Sequence, residues 1–420
     1  MAVNKTYSFL LLFLLFNLGL KVQAAVIEVN STGGGLGTNQ LCSLRAAIRA
    51  AETDAPFSAC AAGSGEDVII LPANSTIVLN QVDNYSLGDN ALPKIRSHIT
   101  IEGNDAVIRI PSQAPEMRFF TISPNSTTGD LGHLILKNLT LNGGRADHSG
   151  GAIHANSLLH LERVRLENNH ADFTGGAISC KSSHTLCVVK SSALINNSAS
   201  YAGAIDIDLD AGLILNQSIV SGNQATIGNG AADGGSVFVS SGHASIINST
   251  IVNNQGGRYG GLLATDTGLP FSTPGTMTVA YSTILNNNPL GVIGNITIKN
   301  SVLSGNVGGN CRSFSTVVSD GYNHSDDDSC DFTASGDVIN MPAHLAGLVE
   351  TSQYIQTYPL SYLSMAMDAA DPNDCPNTDQ RNAVRPLDGD NDGLARCDKG
   401  AHERVNDYIF ANGFNEPITR

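Results

Sequence analysis

The chain repeats itself at a short period. Gly150-Gly151-Ala152-Ile153, Gly175-Gly176-Ala177-Ile178, Ala202-Gly203-Ala204-Ile205, Gly234-Gly235-Ser236-Val237 and Gly260-Gly261-Leu262-Leu263 begin at steps of 25, 27, 32 and 26 residues. A second element recurs with them: Asn138-Leu-Thr-Leu141, Arg163-Val-Arg-Leu166, Gln217-Ser-Ile-Val220, Asn248-Ser-Thr-Ile-Val252, Tyr281-Ser-Thr-Ile-Leu285 and Asn300-Ser-Val-Leu303 each run into Asn or Gly. Self-similarity at this period marks a solenoid or a propeller. Propeller blades need four strands and about 40 or more residues, and helical repeats need longer 3.6-period runs than four or five apolar residues. The pattern therefore predicts an all-β fold, a right-handed parallel β-helix. Corners of such a stack must let backbones approach closely, which suits Gly-Gly, and Asn amides one coil apart can hydrogen-bond into a ladder along the axis. The N-x-S/T sequons, such as those at Asn74, Asn138 and Asn248, follow from the same corner chemistry.

Both ends of a solenoid must be capped. In residues 42–52, Leu44, Ala47, Ile48 and Ala51 fall at i, i+3, i+4 and i+7, the apolar face of a short helix expected to lid the N-terminal end. The first coils are read at Asp67–Leu71 and Ile99–Ile101, and the Gly-Gly beat stops beyond Asn306. The expected organisation is a leader over 1–24, an N-terminal cap over 25–66, β-helix repeats over 67–306, closing coils with an irregular disulfide-bonded C-terminal cap over 307–404, and a tail over 405–420.

The leader carries Lys5, an apolar run from Phe9 to Leu20 and Val22-Gln23-Ala24 before Ala25, the layout of a cleaved secretory signal, which predicts a secreted or cell-surface protein. Export places the eight cysteines in an oxidising compartment. They form four sequence-local pairs, Cys42/Cys60, Cys180/Cys187, Cys311/Cys330 and Cys375/Cys397, and neighbour pairing is the simplest of the roughly 105 connectivities open to eight cysteines. Zinc is the rival reading, but no Cys/His cluster has ligand spacing. A hydrophobic content of 41% argues against disorder, and a net charge of −15 repels phosphate backbones and anionic lipid, so no nucleic-acid partner is expected.

Cys42-Ser-Leu-Arg-Ala-Ala47 resembles the CSLREA motif of secreted bacterial β-helix proteins. Thr378-Asp-Gln-Arg-Asn-Ala-Val-Arg-Pro386 with Cys397-Asp-Lys-Gly-Ala-His-Glu403 resembles their choice-of-anchor Q region, and the GGAI repeats are similar to those of polymorphic outer-membrane proteins. The resemblance implies a pectin-lyase-like right-handed β-helix that is exported and surface-associated, in a family without an agreed biochemical activity. Two departures stand out. Ala46 replaces the motif's Glu, which removes half of a capping box and predicts a helix start weaker by roughly 0.5 to 1 kcal/mol. Asn382, Lys399 and His402 stand where the family has Gly and apolar residues, so a less securely placed last strand is expected. Tyr408–Phe414 looks like a short tag at the ends of some exported Gram-negative proteins.

Ile205-Asp206-Ile207-Asp208-Leu209-Asp210 alternates strictly, so as a strand it turns three carboxylates outward, about 6.6 Å apart. Aligning the Gly-Gly corners puts His154, Ser179, Asp206, Phe238 and Ala264 in one outward column, with Asn156, Lys181, Asp208, Ser240 and Asp266 in the next. Such a strip could hold a uronic-acid chain through a cation while a base removes the proton α to the carboxylate. It could equally space two carboxylates as an inverting glycosidase does. The plainer reading is a solvated face with a surface salt bridge. No Arg falls in these columns, though Arg258 and Tyr259 precede the last Gly-Gly pair and could reach such a groove, so a non-catalytic glycan-binding or adhesion module is preferred, with a polysaccharide lyase or glycoside hydrolase as the alternative. The expected partner is a polysaccharide or another cell-surface component.

Asp388, Asp390 and Asp392 with Gly393 match the start of a calcium loop, but Lys399 occupies the twelfth position, which excludes a complete EF-hand and leaves a partial, weak calcium site as the alternative to plain Asx turns. Asp326–Asp328 reads as a solvated loop. No phosphate loop, H-E-x-x-H or G-x-S-x-G occurs, Gly33–Gly37 being the nearest imitation.

Overall fold

The computed structural model describes residues 24–37, 40–226, 234–257, 259–265, 273–312 and 316–405. The leader up to residue 23, the Tyr408–Phe414 motif, Arg258 and Asp266 lie outside them.

Short parallel strands stack coil on coil into long sheets, the architecture of a β-helix or solenoid. The largest sheet opens with strands at Val26–Glu28, Glu66–Ile70 and Thr76–Val78 and the long bent strands His98–Arg109, His133–Asn142 and Leu158–Glu167. From there each coil gives two strands separated by a corner, as in Leu186–Lys190 with Ala193–Ile195 and Gly212–Asn216 with Ile219–Ser221. A second sheet runs through Phe120–Ile122, Ile153–Ala155, Ile178–Lys181, Ile205–Asp208, Val237–Val239, Leu262–Ala264 and Val292–Gly294. Inside the stack like sits on like. Ile153, Ile178, Ile205, Val237, Leu262 and Val292 are fully buried in one file, the burial of each contributing about 1.5 to 3 kcal/mol.

The corners explain the repeat. Asn138, Arg163, Gln217, Asn248, Tyr281 and Asn300 all have positive φ, between 47° and 53°, and mark the corner inside the large sheet. After the second strand, positive φ falls on Asn168, Asn196, Gly222, Asn253, Asn286 and Gly305. The next residue turns inward and is a buried Asn in six successive coils. Its amide reaches the following coil: Asn169 to Asn197 at 2.9 Å, Asn197 to Asn223 at 2.9 Å, Asn223 to Asn254 at 3.0 Å, Asn254 to Asn287 at 2.9 Å and Asn287 to Asn306 at 3.0 Å. A parallel file of Ser192, Ser218, Ser249, Ser282 and Ser301 accepts backbone N–H bonds coil by coil. The second Gly of each Gly-Gly pair is required by close approach rather than by φ. A Cβ on Gly176 would stand 2.3 Å from the Gly203 carbonyl oxygen and 2.5 Å from that of Ser198.

The lid helix spans Leu44–Thr53, with Ser43 as N-cap accepting from the Ala46 N–H and Asp54 ending it in the left-handed region. It packs on the Val26–Glu28 and Glu66–Ile70 strands through Leu44, Ala47, Ile48 and Ala51. All eight cysteines are paired as neighbours: Cys42–Cys60, Cys180–Cys187, Cys311–Cys330 and Cys375–Cys397. Among the described residues no helix is long and apolar enough to cross a membrane.

The C-terminal region turns back along the flank of the large sheet. An antiparallel hairpin, Val349–Ser352 with Ile355–Thr357, leads into irregular chain that docks on the corner file. Tyr354 donates to Asp105 at 2.8 Å, Gln217 donates to the Asp379 carbonyl at 2.9 Å, Asn248 to the Thr378 carbonyl at 3.0 Å, and Arg385 lies over the Tyr281 ring at 5.0 Å. Here one of the three departures, Lys399, is an anchor instead of a weak point. Lys399 is buried and its Nζ donates to the carbonyls of Asn323 and Gly336 at 3.3 and 2.7 Å, while the Gly400 N–H reaches the Asn300 carbonyl at 2.8 Å.

Candidate functional site

The register of the second sheet fixes which side chains share its outer face. Thr121, His154, Ser179, Asp206, Phe238, Leu263 and Ile293 form one outward file. Ala264, expected there, points inward. Leu262 stacks on Val237, one residue out of step with the Gly-Gly alignment, and this hands the outward place to Leu263. Lys181 pairs with Asp208, as the alignment predicted.

The file changes character along its length. Phe238, Leu263 and Ile293 join Tyr259 and Leu290 in an apolar cluster at one end. At the other end the polar residues interlock. Lys181 Nζ lies 3.4 Å from Asp206 Oδ2 and 3.6 Å from Asp208 Oδ2, and Ser179 Oγ donates to Asp206 Oδ2 at 3.3 Å. The three-carboxylate ribbon does not form. Asp206 is only 2% exposed, since alternation turns it outward but Lys181 leans over it. Burial raises its pKa, with Lys181 opposing the rise. Asp210 lies beyond the strand, which ends at Asp208; Leu209 and Asp210 both take positive φ, and Asp210 accepts from the N–H and hydroxyl of Thr273. Asp208 alone of the three is an accessible carboxylate in the file.

Two coils before Asp206, beyond Ser179, His154 is buried and its Nδ1 has no partner among the described residues. Burial pushes its pKa down to about 3, with the charges of Arg118 and Lys181 pushing the same way. Arg118 is the residue that sequence reasoning missed. It donates to the Leu87 carbonyl at 2.6 Å and the Gly150 carbonyl at 3.3 Å, and it touches Thr121 at the foot of the file. A cleft of about 400 Å³ opens there, lined by Leu87, Gly88, Arg118, Asp147, His148, Ser149 and His154.

A second feature also escaped the sequence. At the corner leading into this sheet, His148, Phe173 and Tyr201 follow one another in successive coils, with the Phe173 N–H bonded to the His148 carbonyl at 2.8 Å and that of Tyr201 to the Phe173 carbonyl at 3.0 Å. The Phe173 and Tyr201 rings meet edge-on at 5.1 Å, and Phe173 is 54% exposed. All three precede a Gly corner by one or two residues, the periodic signal that could have revealed them.

The acidic loop is also rearranged. Ligand-capable oxygens of Asp368, Asp388 and Asp390 lie within 4.8 Å of one another. Asp392 is not in this group: its carboxylate caps the Leu394 N–H at 2.8 Å and pairs with Arg396 at 3.0 Å, which together hold its pKa low. Asp368, twenty residues upstream of the loop, takes its place and receives the Asp390 N–H at 2.8 Å. Burial raises its pKa. Asp326 and Asp327, expected to be solvated, bond into the closing coil, for example Asp326 Oδ2 with the Ser304 hydroxyl at 2.8 Å.

Comparison with family models, with curated proteins and with solved structures finds no match for this chain.

The buried imidazole sets a pH dependence. Its folded pKa of about 3 lies below the ordinary 6.5, so the His154 contribution is intact above pH 6.5 and is lost as pH falls, because the unfolded chain then binds the proton and the folded one does not. On going from pH 7.5 to pH 5, His154→Gln is expected to gain about 2 kcal/mol on the wild type. Urea melts at the two pH values measure it, and a difference independent of pH would mean that His154 titrates normally in the fold.

Proposed function

We propose that the protein is an exported right-handed β-helix of the CSLREA and choice-of-anchor Q kind that works at the cell surface or outside the cell by holding a glycan chain along the outer face of its second sheet, without cleaving it. The observation carrying this reading is the pairing, in the same two coils, of the rings of Phe173 and Tyr201 with the accessible charged groups Lys181 and Asp208, the ring of His148 continuing the aromatic file one coil earlier. Aromatic rings stack on the apolar faces of sugars, while polar groups beside them meet hydroxyls. Coils repeat about every 4.8 Å, close to the length of one sugar unit in an extended chain, so each coil can meet one unit.

Against catalysis, the groups best suited to it are tied up. Asp206 is buried under Lys181, and the unpartnered nitrogen of His154 is enclosed. One observation favours the enzyme alternative, a polysaccharide lyase or glycoside hydrolase: the 400 Å³ cleft where Arg118 and His154 meet the polar file. The two readings separate in one experiment, incubation of the purified protein with a panel of immobilised and soluble polysaccharides, with and without calcium. Retention with no unsaturated or reducing-end product is the expected result. Product formation would establish the alternative, and neither retention nor product on any glycan would overturn both.

A further inference from the structure

We propose a separate binding site for a carboxylate-bearing sugar, a hexuronate unit, between the lid helix and the first coils. A cleft of about 380 Å³ lies there, with Arg49, Glu52, Asp83, Lys94 and Arg96 on its walls, and its size falls in the lower part of the range of small-ligand pockets. In a chain of net charge −15 this cleft gathers cations. Its two carboxylates are already committed. Asp83 is buried, receives Arg49 Nη2 at 2.8 Å, and also faces the buried Arg45 behind it at 3.6 Å. Glu52 accepts the backbone N–H groups of Arg96 and Ser97 at 2.8 and 3.1 Å and the Ser97 hydroxyl at 2.9 Å, with Arg96 Nε 3.6 Å from its other oxygen.

Four cations therefore share two anions, and Lys94 is the one left over. It makes no hydrogen bond or ion pair among the described residues, and it is partly desolvated next to Arg96, which together favour loss of its charge. Nε of Arg49 is likewise buried without a partner. An incoming carboxylate would relieve both groups, since a charge-assisted bond in a partly enclosed cleft is stronger than one in open water. The remaining walls suit a sugar ring. Phe57, held under the Arg49 guanidinium at 5.6 Å, and Pro93 offer an apolar face, and Thr53, Asn84 and Ser86 offer polar groups for hydroxyls. A bare inorganic anion would leave the apolar wall unused.

The test is calorimetric titration of the full chain with glucuronate and galacturonate, with glucose, galactose and inorganic phosphate as comparisons, on the wild type, Lys94→Met and Asp208→Ala. Methionine keeps the aliphatic stem of Lys94 and removes its charge. Saturable uronate binding, at least tenfold weaker in Lys94→Met and unchanged in Asp208→Ala, is the expected result, with the neutral sugars and phosphate binding at least tenfold more weakly than the uronates. No saturable uronate binding, equal binding of neutral sugar or phosphate, or indifference to Lys94→Met would each overturn the proposal. Uronate binding lost in Asp208→Ala but kept in Lys94→Met would place the sugar on the second sheet instead. Circular dichroism of Lys94→Met checks that the variant is folded, and Lys94→Arg, which keeps the charge, is expected to retain binding within a few fold, whereas its loss would overturn a charge-based site.

Discussion

Asn223→Ala is expected to destabilise the protein by about 4 kcal/mol or more. Asn223 sits mid-ladder. Its amide donates to the Leu194 carbonyl at 2.9 Å and to Asn254 Oδ1 at 3.0 Å, and its own Oδ1 accepts the Asn197 N–H at 2.8 Å and the Asn197 amide at 2.9 Å. Alanine removes the partner of at least three buried groups, and a buried polar group left unmade costs about 1 to 3 kcal/mol. The file is closed to bulk solvent, with Asn197, Asn223 and Asn254 each at most 1% exposed. The matching control is Asn377→Ala on the exposed C-terminal chain, expected to stay within about 0.5 kcal/mol of wild type. Denaturant midpoints of the two variants decide it, and equal small losses would mean that the ladder contributes nothing beyond packing.

Gly176→Ala is expected to be as damaging for a different reason. Its Cβ would meet two backbone oxygens, and neither can retreat, because the Gly203 N–H is itself bonded to the Gly235 carbonyl of the next coil at 3.1 Å. Relief requires separating two coils along several strands, so the cost is about 3 kcal/mol or more. Gly35→Ala, where an added Cβ meets nothing within 4 Å, is expected to be nearly neutral. Melting temperatures of the pair measure the contrast. A mild Gly176→Ala would show that the corner is looser than the stacking implies.

The same two residue types made the fold legible. Gly-Gly and Asn recur because one corner needs backbone contact and another needs left-handed backbone with an inward amide, so the period and the Lys181–Asp208 register follow from the residues themselves. The site was less legible, and each miss has a physical cause. Alternation tells which side of a strand a residue faces but not what lies over it, so Asp206 looked exposed and is covered. Leu263 displaced Ala264 because the apolar side chain that fits inside, Leu262, determines register more strongly than the glycines before it. Arg118 and Asp368 come from segments outside the repeat, where no period points to a neighbour. The C-terminal chain docks through scattered polar contacts, such as those of Gln217 and Asn248 with Thr378 and Asp379, which leave no pattern in sequence.

The account rests most heavily on the paired files of the second sheet as the working face. Its most direct test is polysaccharide retention by the double variant Phe173→Ala/Tyr201→Ala, compared with wild type on whichever glycan the wild type holds. Both rings lie at the surface of a corner, so the variant is expected to keep its melting temperature within a few degrees while retention falls at least tenfold. Retention unchanged in a folded variant would contradict the account and place the working face elsewhere on the solenoid.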